Sequence, residues 1–129
     1  MQNAECRMEN KEDRNKPDLK DRTKSFALRI IKLYVSLPKT TLAQVLGKQV
    51  LRAGTSVGAN YREANRARSK AEFISKMGDC LKELDETGYW LELLVESSTV
   101  SPKLLSFLMD ENNQLTAIFV AIINKAKNP

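Results

Sequence analysis

Apolar residues recur at steps of three and four along four long stretches of this chain, and helix start or stop signals bracket each stretch. The first runs from about Asp18 to Ser36. Phe26, Ile30, Leu33 and Leu37 share one side of it, and Ala27, Ile31, Tyr34 and Val35 widen that side. Pro38 ends it. The second begins at Thr40 or Thr41, either of which offers a capping oxygen, and continues to about Ala67. The third opens on Ser69-Lys70-Ala71-Glu72, a capping-box pattern, and spans about Lys70 to Glu96. Ile74, Met77, Leu81, Leu84, Gly88, Leu91 and Val95 form a coiled-coil-like seam along it. Phe73, Cys80, Thr87 and Leu94 broaden the seam to an arc of about 160° at 100° per residue, enough to touch two neighbouring helices. Ser101-Pro102 starts the fourth, which runs to about Ala126 with Leu104, Leu105, Leu108, Leu115, Ile118, Phe119, Ile122 and Ile123 on its apolar side. Four long amphipathic helices with short links predict an all-α, up-down-up-down four-helix bundle over residues 18–127. Residues 1–17 are polar, mix both charges and lack periodicity, so a mobile tail is expected there.

The second helix carries three faces. Leu42, Val45, Leu46, Gln49, Val50, Ala53, Val57, Asn60 and Ala64 share one side, the expected core face. Lys48, Arg52, Thr55, Ala59, Arg62 and Arg66 share another, a stripe of cations broken in the middle and roughly 27 Å long at 1.5 Å per residue. Gly47, Gly54 and Gly58 lie on the third, with Leu51 among them. Each glycine costs a helix interior about 1 kcal/mol relative to alanine. Three on one face therefore imply close approach of another backbone, or a kink near Gly54. A phosphate loop is excluded, because Gly54-Thr55-Ser56-Val57-Gly58 lacks a following Gly-Lys-Ser/Thr and does not follow a strand.

Charge divides the chain sharply. Lys48 to Lys70 holds Lys48, Arg52, Arg62, Arg66, Arg68 and Lys70 against Glu63 alone, a local +5 that equals the net charge of the whole protein. Ala71 to Val100 holds seven acids against Lys76 and Lys82, a balance of −5. Glu72, Asp79, Glu83 and Glu86 form an acidic row on the third helix. A metal or acid–base site fits that row poorly, since Lys76 shares it and histidine is absent from the chain. Pairing with the second helix fits better. Folding back at Ser69 sets Arg66 opposite Glu72, Arg52 opposite Glu86 and Lys48 opposite Trp90. The cations Lys48, Arg52, Arg62, Arg66, Arg68 and Lys70 are thus candidates for nucleic-acid contact, with Arg52 the first to be lost to pairing. Tyr89, Trp90 and Leu93 lie off or at the border of the third helix's seam. They either cover flanking helices or, with Gly54 and Gly58, belong to a subunit interface.

Composition narrows the function classes. A chain of 129 residues, 42% hydrophobic and 29% charged, is one ordinary domain with a real core. It has no apolar run long enough to span a membrane and no apolar N-terminal segment of signal-peptide type. Two cysteines, Cys6 and Cys80, make no disulfide framework, which fits a cytoplasmic location. Cys80 sits on an apolar face beside Met77 and Leu84, as a buried, inert thiol does. Without histidine there is no histidine triad, no histidine metal ligation and no Glu-x-x-His di-iron site. No nucleophile–base pair or ligand cluster is visible, so neither an enzyme nor a cofactor is expected.

Several blocks taken together resemble a known family. They are Phe26-Ala27-Leu28-Arg29-Ile30-Ile31, then Leu51-Arg52-Ala53-Gly54-Thr55-Ser56-Val57-Gly58-Ala59-Asn60-Tyr61. Ala71-Glu72-Phe73-Ile74-Ser75-Lys76-Met77, Lys82-Glu83-Leu84-Asp85-Glu86-Thr87 and Tyr89-Trp90-Leu91-Glu92-Leu93 follow. The chain resembles the four-helix bundle proteins encoded within intervening sequences of bacterial 23S rRNA genes, over roughly residues 22–126. It departs at Ala53, where the family often has serine, and at Leu84, where it often has alanine. The resemblance implies four-helix protomers in a ring-like homopentamer and no established reaction. A related branch, the accessory proteins of diversity-generating retroelements, implies basic pentamers that engage nucleic acid and a reverse transcriptase. The expectation is a non-enzymatic oligomer that binds RNA or DNA through the second helix and its following turn. The alternative is a protein-interaction or accessory subunit whose charges serve its own packing.

Overall fold

The structure, a computed structural model, describes residues 18–129. The expected polar tail at residues 1–17 lies outside the described residues. Four helices follow in order: α1 (Leu19–Ser36), α2 (Thr41–Asn65), α3 (Lys70–Glu96) and α4 (Pro102–Lys127). Local chemistry sets each start. The side chains of Asp18, Thr40, Ser69 and Ser101 accept from the backbone N–H of Asp21, Ala43, Glu72 and Leu104, supplying partners for orphan donors of the first turn. At Ser69 the capping box is displaced by one residue. Glu72 accepts from the N–H of Arg68, at 3.0 Å, one position before the cap. α2 runs unbroken through Gly47, Gly54 and Gly58, so the expected kink does not occur.

Each helix packs against its neighbours in sequence, α1 on α2, α2 on α3 and α3 on α4. Side-chain contacts fix the antiparallel register: Gly47 lies against Tyr34 and Leu37, Gly58 against Thr23, Arg52 against Glu86 and Lys76 against Glu63. The bundle is therefore up-down-up-down and, among the described residues, all-α. α1 and α4 close the circle only loosely. Arg22 joins them by binding Glu111 through two hydrogen bonds of 2.7 and 2.9 Å, and this bond raises the already high pKa of Arg22. Arg29 lies 4.0 Å from the ring centre of Phe107, a cation–π contact across the same seam.

The core is drawn from the expected faces of α1, α3 and α4, although Ile31, Val35 and Leu104, expected on those faces, are exposed. Phe26, Ile30, Leu33 and Leu37 are buried, as are Met77, Leu84, Leu91 and Leu94, and Leu105, Leu108, Leu115, Phe119 and Ile123. α3 touches both α2 and α4, as its wide arc requires. On α2 the expected core face is turned. Ala43, Leu46, Gly47, Val50, Ala53, Gly54, Val57 and Ala64 are the buried residues, whereas Leu42 and Val45 are exposed. The reason is that α2 has a neighbour on each side. Its buried arc is centred between α1 and α3, so the glycine edge belongs to the core and the far edge of the apolar face does not.

Gly54 and Gly58 were expected at a subunit interface and instead pack inside the protomer. A Cβ on Gly54 would stand 2.8 Å from Ile30 Cγ1, and one on Gly58 would stand 3.0 Å from Thr23 Oγ1. The missing side chains let α1 approach α2 closely, which is the physical use of the glycines. Gly88 plays the same part for α4, since a Cβ there would stand 2.9 Å from Asn112 Nδ2. Asn112 is buried and donates to the Leu84 carbonyl at 3.1 Å, while its Oδ1 has no partner.

Candidate functional site

The basic residues singled out in the sequence do not form one surface. Arg52 donates to Glu83 at 3.3 Å and to Glu86 at 2.6 Å, which raises its pKa, chiefly through the bond to Glu86. Its charge is taken up on the outer face of the α2–α3 pair. Lys48 lies ten residues before Gly58, about 15 Å along the helix. The contact foreseen between Lys48 and Trp90 is not made; among the described residues the cation–π contact is that of Arg29 with Phe107. Nor does Arg66 meet Glu72. That carboxylate turns to the Arg68 backbone instead, because a capping partner is nearer than a side chain across the turn.

The remaining cations sit where α2 ends. Arg62 lies in its last turn, Arg66 is its C-cap, Arg68 follows in the turn and Lys70 opens α3. All four are exposed. Positive charge at a helix C-terminus is favoured by the backbone dipole, so this placement of Arg62 and Arg66 is locally stable. None of the four has a salt bridge among the described residues, whereas Arg22 and Lys76 each have one and Arg52 has two.

Two cations from α1 join this end of the bundle, and the reading of the sequence did not single them out. A surface cavity of about 150 Å³ between α1 and α2 is lined by Lys20, Thr23, Lys24, Ala27, Thr55, Gly58, Ala59 and Arg62. A second, of about 90 Å³, is lined by Lys20, Arg62, Asn65 and Arg66. The signal that could have found them was Lys20 and Lys24 one turn apart on α1, read together with the antiparallel return of α2.

Most of the acidic row is engaged within the protomer, and the thiol is buried. Glu83 and Glu86 hold Arg52, Glu72 caps the turn, and Lys76 binds Glu63 at 2.8 Å. Among the described residues no group of three or more metal-ligating side chains is assembled. Cys80 is buried, and burial pushes its thiol up to about 12, with Asp79 a lesser cause. Such a thiol is almost wholly protonated near neutrality and is a poor nucleophile.

At the other end of the α2–α3 pair lies an apolar cluster. Tyr89 is 54% exposed and stands edge-on to Trp90, with ring centres 5.1 Å apart. Trp90 and Leu93 are half-buried against the core. The register set by Arg52 and Glu86 brings the exposed Leu42 and Val45 to the same end. A further exposed pair, Leu104 and Phe107, borders the loose α1–α4 seam.

Comparison with known proteins gives a family and solved structures of similar fold. The profile of the family described as 23S rRNA-intervening sequence protein matches residues 16–121. Among solved structures the chain is similar to a protein with unknown function, from the S23 ribosomal protein family, of Bacteroides thetaiotaomicron. The two are 40% identical, with 81% of this chain and 97% of that chain covered and a TM-score of 0.77. No curated protein matches the chain.

Proposed function

The chain belongs to the family of 23S rRNA-intervening sequence proteins, and from that premise we propose that it is a non-catalytic, self-associating bundle that binds RNA or DNA through a basic surface. The surface is the C-terminal end of α2 and the turn after it. One observation carries the reading: Arg62, Arg66, Arg68 and Lys70 are exposed together and without salt bridges among the described residues, while Arg52 and Lys76 beside the acidic row are paired. Unpaired guanidinium and ammonium groups in one place attract phosphate and release its counterions. Self-association would repeat this surface and raise the avidity of weak single contacts. The resemblance suggests a pentamer for that assembly.

Replacing Arg62, Arg66 and Arg68 together by alanine is expected to leave helicity unchanged and to weaken RNA and DNA binding alike, with a shallower salt dependence. Arg52→Ala is the control. It removes one charge that Glu83 and Glu86 already take up, so affinity should hold, and stability should fall by about 0–1 kcal/mol. Unchanged binding by the triple variant would remove this end of the bundle from the interface.

A second reading rests on the apolar side chains at the opposite end of the α2–α3 pair, Tyr89, Trp90 and Leu93 on α3 and Leu42 and Val45 on α2. It makes the chain an accessory subunit for another protein, such as a reverse transcriptase. Absence of nucleic-acid binding by the parent protein at low salt would favour it.

A further inference from the structure

Resting on the nucleic-acid reading above, we infer that the outer groove between α1 and α2 is a built site for adjacent phosphate groups of a single strand, held by Lys20, Lys24, Arg62 and Arg66. The two cavities that make up the groove share Lys20 and Arg62 in their linings, so they are lobes of one depression. Every charged residue in either lining is a cation, and no carboxylate lines them. Among the described residues none of the four cations has a salt bridge.

The packing explains why the charges meet. Gly58 brings α1 against α2 at Thr23, whose hydroxyl is turned inward to the Leu19 carbonyl at 2.6 Å. That close approach sets the lysines on one wall and the arginines on the other. Ala27, Gly58 and Ala59 leave the groove open between them and offer little apolar wall to hold the body of an organic acid. Along each wall the cations stand one turn apart, roughly 6 Å at 1.5 Å per residue. A phosphate backbone lying along the groove can thus meet cations at successive positions. Lobes of about 150 and 90 Å³ are far too small to admit a base pair. The bases stay outside, so recognition is independent of sequence and falls on the backbone of one strand. Arg68 and Lys70 line neither lobe, which separates this groove from the turn beside it.

The test compares three variants of the full chain with the parent, using a fluorescent single-stranded oligonucleotide and, separately, inorganic tripolyphosphate. Lys20→Ala with Lys24→Ala should flatten the slope of log affinity against log salt by about 1.4, at about 0.7 per lost contact. That slope corresponds to a loss on the order of 25-fold at 0.1 M salt, disappearing near 1 M. Lys32→Ala with Lys103→Ala removes the same charge at the other end of the bundle and should change affinity far less. Lys24→Ser with Ser25→Lys keeps the net charge but turns one cation by about 100° around α1, and it should also weaken binding. Equal effects from the two double-alanine variants, or parent-like binding by the transposed lysine, would overturn the groove while leaving nucleic-acid binding in place. Tripolyphosphate binding that depends on Lys20 and Lys24, in a protein that binds no oligonucleotide, would keep the phosphate site and overturn the nucleic-acid reading. Failure to bind either probe would overturn both.

Discussion

Cys80 shows how burial alone decides the behaviour of a residue. Its thiol is pushed up to about 12 from an ordinary 9.0, first by desolvation. In the unfolded chain the thiol deprotonates near the ordinary value, whereas in the folded chain it stays protonated. Its contribution to stability is therefore present below about pH 9 and is lost as the pH rises toward 12. In a Cys6→Ser background, iodoacetamide at about pH 8 should label Cys80 only when urea unfolds the protein. Replacing Cys80 by alanine should flatten the decline in stability above about pH 9. Rapid labelling of the native protein would show that the thiol is accessible. Burial of this residue was legible from its place between Met77 and Leu84. The fate of Arg52 was legible too, because a fold-back at Ser69 sets it opposite Glu86. The Arg66–Glu72 pair failed because the same carboxylate had a nearer, backbone partner.

At the scale of the helix, the glycines separate two physical uses of the same residue. Gly54 is filled by Ile30, while Gly78 on α3 has nothing within 4 Å of the place a Cβ would take. Gly54→Ala is expected to destabilise the protein by about 1–2 kcal/mol through overpacking against α1. Gly78→Ala should stabilise it by about 1 kcal/mol, the gain in helix propensity. Thermal denaturation of both variants checks the pair, and a higher midpoint for Gly54→Ala would contradict the packing of α1 on α2. Helix ends were readable because caps are local: Asp18, Thr40, Ser69 and Ser101 each bond within their own first turn. The buried arc of α2 was not, because periodicity shows which residues share a side but not how many neighbours that side has.

The fold as a whole leaves apolar surface in water. The protomer leaves Leu42 and Val45 of α2 and Tyr89 of α3 exposed toward one end of the bundle, and it leaves Leu104, at 63%, and Phe107 exposed beside the loose α1–α4 seam. Apolar clusters of this kind mark interaction surfaces in water. Light scattering at micromolar concentration is expected to give the mass of an oligomer, a pentamer by resemblance. Tyr89→Lys with Val45→Lys should reduce that mass while preserving helicity. A monomeric parent protein would end the self-association proposal and with it the multivalent form of nucleic-acid binding.

The sequence by itself determined the four helices, their caps, their order around the bundle and the separation of positive from negative charge. These follow from periodicity, capping chemistry and link length, all of which act over a few residues. It also determined that Arg52 faces the acidic row, because one tight turn fixes the register of α2 on α3. Only the tertiary structure decided that Gly54 and Gly58 pack within the protomer rather than between protomers, since a small-residue face is silent about whose helix fills it. Only the tertiary structure brought Lys20 and Lys24 to Arg62 and Arg66. These residues lie some forty positions apart in the chain, and their meeting depends on the close approach of α1 to α2 that Gly58 permits.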